Sequence, residues 1–174
     1  MKTILLFLAM LPVFCFGQND SNTQKTQLKK RNYVKSVENL TLEGALELSK
    51  LAFESASNLD KKVSIAILDA DGITILIVRG DKVGPHNTEA SRRKAYTALS
   101  TKTPSFELMQ KASADPSAVN LNTLPELLLL GGGVPVWHKG EVIGSIGVSG
   151  AGGGLNDHNV AKEAVENLGF TIYK

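Results

Sequence analysis

The sequence predicts an α/β domain of the α+β type, with one antiparallel sheet of about five strands flanked by helices. Three observations carry this prediction. Two β-branched runs, Val63–Leu68 and Ile73–Arg79, are joined by Asp69-Ala70-Asp71-Gly72, a hairpin pattern. A second group of short apolar and alternating runs lies between Leu127 and Ser149 and turns at Lys139-Gly140. Helical patterns precede, separate and follow these two groups, without the repeated strand–helix units of a parallel sheet. A chain of 174 residues is long enough for one such core.

The N-terminus carries Lys2, an apolar run from Ile4 to Phe16 and the small residue Gly17. This pattern predicts a secretory signal peptide over residues 1–17, too short to span a membrane as a mature helix. The only cysteine, Cys15, falls inside it, so the mature chain is expected to have neither disulfide nor thiolate chemistry. A periplasmic or secreted location follows, with no stable membrane insertion after cleavage. Residues 18–39, with Lys25, Lys29, Lys30 and Arg31 and little apolar periodicity, read as a flexible polar lead-in to a domain over 40–174. The chain is 43% hydrophobic and 21% charged with a net charge of +2, which indicates neither disorder nor a nucleic-acid partner.

Thr41 stands where it caps a first helix, with Leu42, Ala45, Leu46, Ala52, Phe53 and Ala56 inward and Glu43, Glu47, Lys50 and Glu54 outward. In the hairpin, Asp69 and Asp71 are turn residues. A calcium loop opening at Asp69 would need glycine where Thr74 stands and glutamate where Gly80 stands. After the loop Arg79–His86, Asn87 or Thr88 is expected to cap a helix to about Thr101, with a small-residue face of Ala90, Ala95 and Ala98. Its cationic run Arg92-Arg93-Lys94 is either a solvated face or a site for ligand carboxylates. His86, at the helix start, adds an imidazole of the kind that binds iron. Thr103-Pro104 and Asp115-Pro116 each suit a helix start, so 105–125 reads as a partly helical excursion, either a lid, a subunit contact or a plain insertion.

Leu127–Leu130 is too short for a helix and reads as a buried strand that Gly131-Gly132-Gly133 ends. Pro135 places the next strand at an edge or a bulge, and Gly144 and Gly147 inside Glu141–Ser149 require close approach of another backbone or a ligand. Gly150–Leu155 leads into a last helix from Asn156 or Asp157 to Leu168, stopped by Gly169, with a strand fragment over Phe170–Tyr173. The loop lacks the dinucleotide-binding spacing and reads as a tight turn. Ser149, Asp157 and His158 follow in hydrolase order. However, Asp157 and His158 are helix neighbours that diverge by about 100°, and Ala151 replaces the elbow glycine. His86, His138 and His158 are too widely spaced for a structural zinc site. No general acid, base and nucleophile set emerges, so the reading leans away from an enzyme.

The stretch LLLLGGGVPVWHKGEVIGSIGVSGAGGGLNDHNVA, with AxxRKAYTALS at Ala90–Ser100 and RGDKVGPHN at Arg79–Asn87, resembles the GlcG/HbpS-like family of haem-binding proteins. The likeness runs from about Leu40 to the C-terminus. It implies a profilin-like arrangement and a dimer-based homo-oligomer. It also implies binding of haem or a related tetrapyrrole in iron scavenging, storage or sensing, with a sensor or transporter as partner. Toward haem it points to His86 as the iron ligand and to Arg92, Arg93, Lys94 and Tyr96 as further contacts. A histidine near the first helix, a ligand in some members, has no counterpart in Thr41–Lys62. The alternative from another class is an exported oligomeric interaction module without a catalytic role. A third, an accessory role in small-acid metabolism, rests on analogy alone.

Overall fold

The computed structural model describes residues 33–174, so the expected signal peptide and most of the expected lead-in lie outside the described residues. The chain divides into Met1–Lys35 and Ser36–Lys174, and among the described residues every element belongs to the second unit. In order these are α1 (Leu42–Asn58), β1 (Ser64–Asp69), β2 (Thr74–Arg79), α2 (His86–Thr101), α3 (Ser105–Ala114), a 3-10 turn (Ala118–Thr123), β3 (Gly133–His138), β4 (Glu141–Ser149) and α4 (Gly154–Asn167). The sheet is antiparallel, in the order β2-β1-β4-β3.

The sheet therefore has four strands rather than about five. Leu127–Leu130 pairs with no strand: turn bonds from the Leu127 N–H to the Leu124 carbonyl and from the Leu130 N–H to the Leu128 carbonyl satisfy part of its backbone, and side chains supply its other bonds. Thr97 Oγ1 accepts from the Leu128 N–H, Arg93 donates to the Leu127 carbonyl, and Ser105 Oγ donates to the Leu130 carbonyl. The C-terminal fragment contributes a single bridge, Thr171 to Trp137, on the outer side of β3. Pro135 lies on the edge strand β3, opposite Ser145, where its missing N–H costs no ladder bond.

Local signals set most of the boundaries. Thr41 Oγ1 accepts from the Gly44 N–H at 3.1 Å and caps α1. Asp69 Oδ1 accepts from the N–H groups of Asp71 and Ile73, and Gly72 takes a φ of +83°, closing the first hairpin. Gly169, at φ +92°, follows α4. Two helices start earlier than expected: α2 begins at His86 behind Pro85, and α4 begins at Gly154, within the glycine loop. On α1, Ala45, Leu48, Ala52 and Ala56 are buried, whereas Leu42 and Leu46 are exposed. The buried stripe thus keeps Ala45, Ala52 and Ala56 but is rotated from the expected one by roughly 60°, away from Leu42 and Leu46 and toward Leu48.

The two faces of the sheet differ in side-chain size, and this positions the site. One face carries Ile65, Ile67, Val134, Val136, Ile146 and Val148, which form the core with α1 and α4. The other carries Ser64, Ala66, Gly133 and Gly147, and α2 lies directly on it. A Cβ on Gly147 would fall 1.9 Å from the Ser91 carbonyl oxygen, and one on Gly133 would fall 1.9 Å from that of Lys94. The strand glycines therefore admit a helix backbone, as their placement required.

Candidate functional site

Because α2 sits so low on the sheet, its N-terminal half faces the β4–α4 loop across a cavity of about 550 Å³. His86, Asn87, Ala90 and Lys94 of α2 form one side, and Phe106 and Met109 of α3 form another. Ser149, the glycines of the loop, Leu130 and Leu155 complete it, with Leu130 and Leu155 exposed at the rim. Aromatic and aliphatic walls with a few polar groups are the ordinary make-up of a small-molecule site.

The floor is a saturated polar network. The Lys94 ammonium donates to Asp157 Oδ2 at 2.7 Å, to the Val148 carbonyl at 3.1 Å and to Ser149 Oγ at 3.3 Å. Asp157 Oδ1 accepts from the Ala151 N–H at 2.7 Å, and Ser149 Oγ donates to Asn87 Oδ1 at 2.8 Å. One buried carboxylate therefore fastens the glycine loop to α2 through Lys94. The hydrolase order in the sequence assembles no triad: Asp157 is bound to Lys94, and the Ser149 proton goes to an amide oxygen. His158 stacks on Phe106, centroids 5.4 Å apart at 22°. Its Nδ1 is buried without a hydrogen-bond partner, and burial pushes its pKa below the ordinary 6.5, with Lys162 adding to the shift and Glu107 and Glu166 opposing it.

His86 stands apart from this network. It is exposed at the mouth, its imidazole resting on Gly84, where an added Cβ would come within 3.0 Å of Cε1. Of the other haem contacts that the resemblance implied, only Lys94 joins it in the cavity. Arg92 Nη2 binds Glu89 at 2.7 Å and Glu126 at 2.8 Å, which raises its pKa further and lowers that of Glu89. Arg93 donates to the Leu127 carbonyl at 2.7 Å, and its Nε is buried without a partner. Tyr96 lines a separate cavity of about 250 Å³ with Ser100 and Leu124–Leu127. Three consecutive helix residues point in three directions about 100° apart, so one cationic run cannot serve one ligand. The spacing Ala90, Lys94, Ala98 carried a usable signal, since it puts Lys94 on the small-residue face at i, i+4. Asp157, 63 positions away, offered none.

Comparisons with known proteins agree with this architecture. A family model described as "Haem degrading protein HbpS-like" matches residues 40–166. The chain is 36% identical to the crystal structure of a double mutant of HbpS from Streptomyces reticuli, with a TM-score of 0.73 over 78% of this chain and 91% of that one. It is 26% identical to a crystal structure described as a PduOC:heme complex, with a TM-score of 0.70 over 78% of this chain and 99% of that one. It is also 36% identical over 98 residues to protein GlcG of Escherichia coli K12, 55% of this chain and 70% of GlcG. The corrinoid adenosyltransferase PduO of Salmonella typhimurium is matched over only 36% of its length. Among the described residues no helix is long and apolar enough to cross a membrane, and no group of three or more metal-ligating side chains occurs.

Proposed function

The chain belongs to the HbpS-like family, and from that premise we propose that it binds haem or a related tetrapyrrole in the cavity at the start of α2. The observation that carries this reading is the single exposed imidazole of His86 at the mouth of a cavity that Phe106, Met109, Leu130, Leu155 and glycine backbone line together with the bonded Lys94–Asp157–Ser149–Asn87 network. Phe106 and the two leucines offer the apolar surface a macrocycle needs, and His86 offers an imidazole nitrogen to iron. Bound iron would supply ligand-binding and redox chemistry. Within the protein, Lys94 and Asp157 hold the loop and the helix at fixed separation. Arg92 and Arg93 would meet propionates only by exchanging Glu89, Glu126 and the Leu127 carbonyl for them. The likeness to a solved haem complex supports the same reading.

Removal of residues 1–17 would place the protein in the periplasm or outside the cell, where haem scavenging, storage or sensing fits a binding protein without an acid–base–nucleophile set. A homo-oligomer and a sensor or transporter partner belong to this proposal. A second reading, an exported interaction module without catalytic role, draws support from β2. This strand forms one edge of the sheet, with Ile77 and Val78 exposed along it and Ile73 exposed just before it. Haemin titration followed at the Soret band separates the two. The haem reading expects a saturable shift that weakens in His86→Ala. Absence of any saturable shift at micromolar haemin would leave the interaction module.

A further inference from the structure

We infer that Met109 is the second axial ligand to haem iron, opposite His86; this rests on the haem reading and deepens it. His86 on α2 and Met109 on α3 line the same cavity. Among the described residues Met109 carries the only sulfur. The other two histidines are engaged elsewhere, His138 beside Glu38 and Phe170 and His158 behind Phe106. A methionine ordinarily fills an irregular gap in a core. Met109 does not: it lies outside the core cluster and is partly exposed on the cavity wall.

Its direction is set one turn earlier on the same helix. Phe106 is backed by the His158 ring at 5.4 Å and presses on Gly131, where an added Cβ would meet Cδ2 at 2.7 Å. With Phe106 fixed against the cavity, the i, i+3 relation brings Met109 to the same wall. The other polar side chains of the cavity, Lys94, Asp157, Ser149 and Asn87, are bonded to one another. His86 and Met109 are left as the two donors suited to iron. A thioether needs no deprotonation and pairs with imidazole in six-coordinate haem, where it raises the reduction potential.

The test loads the purified protein with haemin at a fixed ratio. Coordination is read by resonance Raman and electron paramagnetic resonance, and stoichiometry by the Soret titration, for wild type, Met109→Leu and Met109→His. The inference expects six-coordinate low-spin iron in the wild type. Met109→Leu should bind haem at unchanged stoichiometry but become high-spin, with a lower reduction potential. Met109→His should restore a low-spin form with two imidazoles. A low-spin signature retained in Met109→Leu, or a high-spin wild type, overturns the inference while leaving haem binding intact. A wild type that binds no haem overturns the haem reading itself, and the inference with it.

Discussion

Asp157→Asn isolates the charge that ties the glycine loop to α2. The variant keeps an oxygen for the Ala151 N–H, but sets an amide NH2 against the Lys94 ammonium that now sits 2.7 Å from Oδ2. Flipping the amide regains Lys94 and loses Ala151, so one bond is sacrificed either way. Both groups are nearly inaccessible, Lys94 at 3% and Asp157 at 4% exposure, so water cannot replace the lost partner. Breaking a buried pair by removing one member costs about 3–5 kcal/mol. The surviving bonds of Lys94 to Val148 and Ser149 place the expected loss near the lower end, about 3 kcal/mol. At roughly 3 °C per kcal/mol for a chain of this size, Tm falls by about 10 °C. Urea unfolding followed by circular dichroism measures the loss. The double variant Lys94→Met with Asp157→Asn should recover a good part of it, because no charge is then left unpaired. A single-variant loss below about 1 kcal/mol, or a double variant no more stable than the single, would refute the assignment of the network as the clamp.

Three further outcomes follow from the same geometry. Gly147→Ala sets a Cβ 1.9 Å from the Ser91 carbonyl and must push α2 off the sheet, so thermal unfolding should show a loss of about 3 kcal/mol or an insoluble protein. Thr41→Ala removes the acceptor for the Gly44 N–H and should cost about 1 kcal/mol in urea unfolding, with Thr41→Ser close to wild type. The His158 pKa is depressed in the folded state, so the unfolded chain binds the proton more readily. The stability linked to His158 is fully present above about pH 6.5 and is lost as pH falls through the lower folded value. Urea midpoints compared at neutral and mildly acidic pH should show this slope, and His158→Phe should reduce it.

The parts of the fold that depend on neighbouring residues were legible in the sequence. The Asp69–Gly72 turn, the Thr41 cap, the edge position of Pro135 and the backbone contacts of Gly147 each follow from what one residue type can or cannot do. The Leu127–Leu130 segment was misread because its apolar pattern reports burial, whereas strand identity depends on a partner. Its partners beyond its own turn bonds are Thr97, Arg93 and Ser105, side chains of other elements. The site was legible in part. His86 and Lys94 come together, but Arg92, Arg93 and Tyr96 do not, since adjacent helix residues cannot share a face. Phe106 and Met109 fall inside the partly helical excursion over 105–125, and nothing in local spacing shows that this helix lines one cavity with the β4–α4 loop.

The crystal structure of the protein grown with stoichiometric haemin tests the central claim most directly. The macrocycle should lie in the cavity between α2, α3 and the β4–α4 loop, with iron on the His86 imidazole and the Lys94–Asp157 pair intact. Haem seated on another surface, with this cavity empty and His86 free, would contradict it.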